Sequence, residues 1–382
     1  MKKRIKCKQI ITKNAVIDGY VYIEDGKILE ISRIEKPADE CLDYSDFILT
    51  PGFVEIHCHG GAGGDFLSDN PESVIKACDF HLSHGTTSIC PTISTAPFKT
   101  MRKAVAAIAE AKKSGKSKIN IIGSHLEGPY LSLAQTGAQS PDSITEPKRE
   151  EYEALVREYG DTIARWSYAP ERDDGSFAKF LTANGILLSA GHTDATYDDM
   201  KRGMECGLNL VTHLYSCTST ITRVGGFRRL GVIESAYLED DIFVELIADG
   251  KHLPIDLLRM ILKIKTPART VLVSDCLALT GTGTVEGVMS GVEFVVEDGV
   301  CKLRDRTAFA GSIATSEVLF RTAIEAGCSL TDAALMTATN PASLMKLNKG
   351  EIKAGLDADL AVLDKSTYEV KAVFVLGEKV RG

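Results

Sequence analysis

The feature that most constrains the fold is a set of apolar runs that each end in metal-capable or titratable side chains. Residues 51–59 read PGFVEIHCH, residues 125–129 read HLEGP and residues 272–275 read LVSD. Two further runs end at His192 and His213. Parallel strands of a barrel present their carboxyl ends at one face, so these side chains are expected to meet at a single mouth.

The middle of the chain alternates between apolar and amphipathic segments. Strand candidates lie near residues 52–57, 86–92, 119–124, 163–169, 184–189, 208–212, 242–248 and 269–274. Amphipathic segments such as 98–114 and 148–158 separate most of them, and further helices are predicted near 314–326 and 331–346. Eight strands alternating with helices predict an α/β protein with a closed parallel (β/α)8 TIM barrel. An inserted hairpin is predicted at 292–299.

Both ends of the chain have a different, β-rich character. Residues 20–23 and 27–31 flank the hairpin signal Glu24-Asp25-Gly26, and residues 358–363 and 373–376 precede a turn at 377–379. We therefore predict a small β-sandwich domain built from residues 1–50 and 350–382. The barrel domain is predicted to span residues 51–349.

Composition excludes several classes of protein. A net charge of −8 and the lack of a basic cluster with interleaved aromatics argue against a nucleic-acid binder. No apolar run approaches the roughly 20 residues that span a bilayer, so no membrane association is predicted. The ten cysteines stand singly without a CxxC pair and no apolar signal core follows the N-terminus, which is typical of reduced thiols in the cytoplasm.

Six strand-end residues form a candidate metal site. His57 and His59 are two apart in a strand and so point to the same face. A single polar residue at a strand end is as readily a hydrogen-bonded cap as a ligand, but six of them favour a metal. Imidazole and carboxylate together suit zinc, iron or manganese. The six are His57, His59, Glu127, His192, His213 and Asp275.

The remaining histidines receive separate interpretations. His252 follows the seventh strand in the phrase ADGKH and is predicted to contact substrate. His125 is as readily structural as a ligand. His81 and His84 lie on a helix before the second strand and are predicted to be structural.

With these residues in hand, the chain resembles the amidohydrolase superfamily and, within it, the N-acetylglucosamine-6-phosphate deacetylase family. The resemblance covers about residues 18–382. It implies an amidohydrolase-type TIM barrel with a small β-sandwich. The phrases that carry it are PGFVEIHCHG, HLEGPYLS, APE at 169–171, SAGHTDAT, VTHLY, IADGKH, LVSD, AGS at 310–312 and the ending NPA…GEIKAGLDADLAVLD.

The resemblance assigns roles to the candidate ligands. Glu127, His192 and His213 match the principal metal ligands of the family. His57 and His59 match a second metal position, with Glu127 bridging. The resemblance therefore implies one or two divalent ions per chain.

The resemblance also implies an activity. The family hydrolyses the N-acetyl group of N-acetylglucosamine 6-phosphate to give glucosamine 6-phosphate and acetate. Asp275 matches the acid/base that takes a proton from water and gives it to the departing amine. His252 matches the residue that contacts the substrate near the scissile amide.

The chain departs from the family at positions that touch substrate. Ser216 and Cys217 stand where the family usually has Asn-Ala, and Gln139 replaces a common histidine. The family arginine that reaches the phosphate of a neighbouring subunit's substrate has Arg228 as its nearest match and Arg223 as a rival. The family arrangement implies a homodimer.

Because these departures spare the metal set, the hydrolase chemistry is better specified than the sugar. Another N-acyl amino sugar, such as N-acetylgalactosamine 6-phosphate or an unphosphorylated one, stays open as a substrate. A cyclic amide hydrolase is a weaker alternative, because such enzymes usually carry a carboxylated lysine at the fourth strand and this chain has no lysine there. A metal-free scaffold protein is disfavoured because every ligand and the acid/base are retained.

Overall fold

The computed structural model describes residues 1–289 and 292–382, and a parallel barrel lies at its centre. The eight barrel strands, in order, are Phe53–Cys58, Thr86–Ile93, Asn120–Ile121 continued by Ser124–Glu127, Ile163–Tyr168, Leu187–Ala190, Leu210–Val211, Phe243–Ile247 and Thr270–Val273. Consecutive strands pair in parallel. The ring closes where the Asp275 amide donates to the His57 carbonyl at 2.9 Å. The predicted (β/α)8 barrel is confirmed.

Helices cover the outside of the barrel. They are Pro71–Ser83, Phe98–Ser114, Arg149–Tyr159, Ser176–Ala183, Tyr197–Glu205, Val232–Leu238, Ile255–Lys265, Ser316–Glu325, Leu330–Ala334 and Asn340–Leu344, with a π-helical turn at Leu335–Thr339. The helix Phe98–Ser114 shows the physical basis. Met101, Val105 and Ile108 recur at helical spacing and are buried, and Gly115 ends the helix with φ 61°.

Several loops contain short 3-10 helices. They span Leu133–Gln135, Pro141–Ser143, Gly160–Thr162, Pro170–Arg172 and Pro267–Arg269. In the described residues, no helix is both long and apolar enough to cross a membrane.

The two ends of the chain share one sheet of eight strands. Its members are Lys3–Ile11, Val16–Glu24, Lys27–Ser32, Glu40–Asp43, Phe47–Pro51, Leu360–Asp364, Val370–Val375 and Glu378–Arg381. The ends join where Phe47–Pro51 pairs antiparallel with Leu360–Asp364. The predicted turn is present, with φ 50° at Asp25 and 76° at Gly26. Because Phe47–Pro51 runs directly into the first barrel strand, this sheet is anchored at the start of the barrel.

Three smaller sheets lie outside the barrel wall. A hairpin joins Thr222–Val224 to Phe227–Arg229, and Gly60–Gly61 pairs with Gly64–Asp65. The insert predicted as a hairpin at 292–299 belongs to a larger antiparallel sheet. Its strands are Glu286–Met289, Val292–Glu297, Val300–Leu303 and Phe309–Gly311.

Candidate metal centre

Five separate segments bring the six candidate ligands to one barrel mouth. His57 and His59 come from the end of the first strand, Glu127 from the third, and His192, His213 and Asp275 follow the fifth, sixth and eighth. The last three have positive φ values, 48°, 28° and 48°. Left-handed backbone is uncommon for residues other than glycine and concentrates at functional sites.

Glu127 is the common neighbour of the four histidines. Its Oε1 lies 3.0 Å from Nε2 of His213, 3.2 Å from Nε2 of His192 and 3.4 Å from Nε2 of His57. Its Oε2 lies 3.3 Å from Nε2 of His59. All five residues are buried. One carboxylate thus faces two pairs of imidazoles, one pair from the first strand and one from the fifth and sixth.

Asp275 adds a second carboxylate on the side of the first strand. Its Oδ1 lies 3.1 Å from Nε2 of His59 and 3.4 Å from Nε2 of His57. Ligand atoms of two triads lie within 4.8 Å of one another, and His57 is common to both. The triads are His57, Glu127, His213 and His57, His59, Asp275.

The residues present fit a divalent cation. Nε2 of His57 is buried and makes no hydrogen bond to any part of the chain that the structure describes. Four imidazole nitrogens and two carboxylates form a mixed nitrogen and oxygen donor set, which zinc, iron and manganese accept. A buried, unpaired ring nitrogen aimed at two carboxylates is the arrangement expected of a metal ligand.

Residues outside the ligand set fix the rings through their other nitrogens. Ser94 Oγ lies 2.8 Å from Nδ1 of His59, and the Gln135 carbonyl lies 2.9 Å from Nδ1 of His192. Nδ1 of His57 lies 3.1 Å from Oε2 of Glu245. Such partners turn the Nε2 side of each ring towards the shared centre.

The charges of the cluster shift the pKa values of Glu127, Asp275, His57 and His59, each in the direction that favours the charged form. Burial alone would raise the pKa of Glu127, but the charge of His57 and hydrogen bonds from the histidines hold it well below its usual value. Burial would also raise the pKa of Asp275, yet His57 and His59 lower it to about 2. Burial opposes protonation of His57 and His59, but the carboxylates raise their pKa values to about 9 and about 10. The two carboxylates thus require buried positive charge beside them.

A cavity of about 280 Å³ opens over this cluster. It is lined by ligands of the cluster and by the segments around Gly137, Ser216 and Phe309. No lysine or arginine lines it within residues 1–289 and 292–382. The cavity can therefore hold a small polar molecule against the ligand cluster, but this chain alone supplies no cationic side chain for an anionic group.

Four of the predicted substrate residues border this cavity: His252, Gln139, Ser216 and Cys217. His252 Nδ1 lies 2.7 Å from Asp249 Oδ2, and its ring contacts Phe309 edge-on at 4.9 Å. Gln139 also touches the ligand set, because its Nε2 donates to Oε2 of Glu127 at 2.7 Å. Its amide oxygen accepts from the Thr95 amide at 2.8 Å, which fixes its orientation.

The two candidate phosphate arginines lie elsewhere. Arg223 and Arg228 are opposite one another on the hairpin Thr222–Val224 and Phe227–Arg229, and both are exposed. Neither borders the cavity of its own chain. Their role in binding phosphate stays a prediction.

The other histidines have structural partners. Both ring nitrogens of His125 are engaged, Nδ1 with Thr92 Oγ1 at 3.1 Å and Nε2 with Ser167 Oγ at 2.7 Å. His81 Nε2 lies 3.0 Å from the Gly60 carbonyl, and His84 pairs with Glu317. Within the described residues, none of the three belongs to a triad of possible metal ligands.

Sequence reasoning missed the charged residues inside the barrel. Arg165 and Glu245 form an ion pair within the fourth and seventh strands and are fully buried. Burial would raise the pKa of Glu245, but Arg165 and His57 lower it. The signal was present, because a charged residue within a strand buried on both faces needs a partner. The sequence alone does not say which partner.

Comparison with known proteins now identifies the family. Residues 48–380 match the model of the Amidohydrolase family. The chain belongs to the amidohydrolase family. Among curated relatives, an N-acetylglucosamine-6-phosphate deacetylase of Bacillus subtilis (strain 168) is 32% identical over 374 residues, 94% of this chain and 92% of the relative. The Homo sapiens enzyme of the same name is 31% identical over 94% of this chain and 91% of its own.

Solved amidohydrolase structures agree with this membership. A mutant N-acetyl-D-glucosamine-6-phosphate deacetylase from Mycobacterium smegmatis, in complex with N-acetyl-D-glucosamine-6-phosphate, superposes with a TM-score of 0.91. It is 28% identical, and the match covers 100% of both chains. The N-acetylglucosamine-6-phosphate deacetylase from Pasteurella multocida gives a TM-score of 0.92 at 26% identity, again over 100% of both chains. The predicted resemblance to this group of amidohydrolases is confirmed.

Proposed function

We propose that this chain hydrolyses the N-acetyl group of N-acetylglucosamine 6-phosphate, releasing acetate and glucosamine 6-phosphate. The observation that carries the proposal is the meeting of four imidazoles and two carboxylates at the floor of a cavity, with Asp275 facing that cavity. The identity of the sugar is inferred from the relatives, which are deacetylases of N-acetylglucosamine 6-phosphate.

One or two divalent ions, zinc, iron or manganese, are part of the proposal. His192, His213 and Glu127 would hold one ion, and His57 and His59 with Glu127 or Asp275 would hold another. A bound divalent cation supplies the Lewis acidity that lowers the pKa of water and polarises an acyl oxygen. Gln139 donates to Glu127 Oε2, whereas Oε1 faces Nε2 of both His192 and His213, the two histidines assigned to the first ion.

Asp275 moves the proton in this proposal. His57 and His59 hold the pKa of Asp275 below its usual value, so the carboxylate is ionised at neutral pH and can accept a proton as the water oxygen bonds to the acyl carbon. The carbon–nitrogen bond then breaks, and Asp275 returns that proton to the nitrogen, which leaves as a neutral amine. His252, whose Nδ1–H donates to Asp249 Oδ2, would contact the substrate near the amide through Nε2, which is then a hydrogen-bond acceptor.

A second copy of the chain completes the site in this proposal. Because no lysine or arginine among the described residues lines the cavity, the phosphate would be bound by Arg228 or Arg223 of a partner in a homodimer. The hairpin that carries them also exposes two apolar residues, Phe227, which is 80% accessible, and Val224. Burial of these side chains would favour association.

A cytoplasmic location is also part of the proposal. All ten cysteines are free thiols, which suits the reducing environment of the cytoplasm.

Acetate release from N-acetylglucosamine 6-phosphate tests the proposal directly. The metal-loaded enzyme should reach a kcat/KM of about 10⁴ M⁻¹s⁻¹ or more, within the ordinary range for enzymes. The assay runs in parallel with N-acetylgalactosamine 6-phosphate and with unphosphorylated N-acetylglucosamine. A higher kcat/KM for either of these would overturn the proposed sugar and keep the deacetylase chemistry. No acetate from any of the three would overturn the function.

A further inference from the structure

A buried chain of charged side chains runs beneath His57. Arg165 Nη1 pairs with Oε1 of Glu245, and Oε2 of Glu245 lies 3.1 Å from Nδ1 of His57. All three residues are 0% exposed. Arg165 also donates to the Ile56 carbonyl and to Ser189 Oγ, each at 3.0 Å. The guanidinium is thereby fixed from several sides, and it fixes Glu245 in turn.

We propose that Glu245 is a positioning residue that selects the tautomer of His57. Because a carboxylate only accepts hydrogen bonds, Nδ1 of His57 must carry the proton in the contact with Glu245. With Nδ1 committed to Glu245, Nε2 is the nitrogen left to bind a cation, and it faces Glu127 and Asp275, 3.4 Å from each. The inference rests on the proposed function in one respect, that His57 binds a cation through Nε2.

The two oxygens of Glu245 make a sharp test possible. One accepts from Arg165 and the other accepts from His57, so the position needs two acceptors. An amide has a single acceptor oxygen. In Glu245→Gln, Arg165 retains that oxygen because the charged donor makes the stronger hydrogen bond. The amide nitrogen then donates to Nδ1 of His57, the ring proton moves to Nε2, and His57 no longer binds a cation.

Removing Arg165 should reverse this effect. In the double variant Arg165→Met, Glu245→Gln, the amide oxygen is free to accept from Nδ1 of His57. The correct tautomer returns, although the buried negative charge is absent. A structural role of the ion pair predicts the opposite order, because the double variant loses more native contacts than the single one.

The first readout is the zinc affinity of the full-length chain, measured separately for each zinc equivalent that binds. We expect Glu245→Gln to weaken one zinc position about 10- to 100-fold, as removal of such ligand supports typically does, and to leave the other unchanged. The double variant should recover most of that loss. Equal zinc affinities in all three proteins, or an equal loss in both variants, would overturn the proposal.

A second measurement uses the unaltered protein and does not depend on how the Glu245 and Arg165 variants fold. Long-range nitrogen NMR of zinc-loaded protein, labelled with ¹⁵N-histidine, reports which ring nitrogen of His57 carries the proton; a His57→Gln sample assigns the signal. Protonation at Nδ1 is expected, and protonation at Nε2 would overturn the proposal. Acetate release by the same sample tests the proposed function separately, so failure of one can be told from failure of the other.

Discussion

At the scale of single residues, the proton transfer assigned to Asp275 is the step of the proposed chemistry that one substitution tests most directly. Asp275→Asn keeps the shape and one oxygen of the side chain but cannot accept a proton. We expect kcat to fall by about 10²- to 10⁴-fold, the usual contribution of general acid–base catalysis. Metal content, measured by elemental analysis, should stay at the wild-type level, since five other ligands remain. Substantial residual turnover would remove Asp275 from the acid/base role.

Trp166 is a buried residue that hydrogen-bonds to the loop directly after Glu127. Its indole Nε1 donates to the Gly128 carbonyl at 2.7 Å, and its ring stacks on Tyr130 at 5.9 Å. Trp166→Phe leaves this carbonyl without its donor. We expect the free energy of unfolding to fall by about 1–3 kcal/mol, the cost of a buried unsatisfied polar group. Urea unfolding followed by circular dichroism measures it, and an unchanged midpoint would contradict the assigned hydrogen bond.

At the scale of elements, the exposed hairpin Thr222–Val224 and Phe227–Arg229 carries the arginines that are proposed to bind the phosphate in the site of a partner chain. If Arg228 binds phosphate across the dimer, Arg228→Ala removes a charge-assisted hydrogen bond. We expect KM for the phosphorylated sugar to rise by about 10- to 100-fold, and KM for the unphosphorylated sugar to change little. Steady-state kinetics on both substrates measures this.

The same hairpin offers its own controls. Arg229→Ala changes a neighbouring exposed arginine, paired in register with Thr222, and should leave KM close to the wild-type value. Arg223→Ala tests the rival candidate in the same assay. An equal rise in KM for both sugars after Arg228→Ala would show that this arginine does not bind the phosphate.

At the scale of the whole molecule, the ligand cluster ties together the strands that close the barrel. Its members come from the first, third, fifth, sixth and eighth strands. A cation that binds only the folded chain stabilises it by about 2.7 kcal/mol at a free concentration of 100 times Kd. We expect removal of metal by a chelator to lower Tm by about 3 °C and re-addition to restore it. Calorimetry measures this, and an unchanged Tm after verified metal loss would contradict it.

The sequence predicted the barrel because its signals are local. Apolar strands, helical periodicity and a strand-end histidine or carboxylate each lie within a few residues of one another. The third strand shows the limit. Predicted at 119–124, it is interrupted and continues to Glu127, since pairing with the fourth strand, rather than local pattern, sets where it ends. The same applies to the insert, whose four-stranded sheet was predicted only as a hairpin.

The sequence by itself determined which residue types stand at the strand ends, and with them the ligand set and the family. Only the tertiary structure decided which side chains meet. Glu245 and His57 are 188 positions apart, and Arg165 and Glu245 are 80 apart. Gln139, predicted to bind substrate, also donates to Glu127. A hydrogen bond depends on a few tenths of an ångström between atoms that barrel closure brings together, and no local pattern encodes that distance.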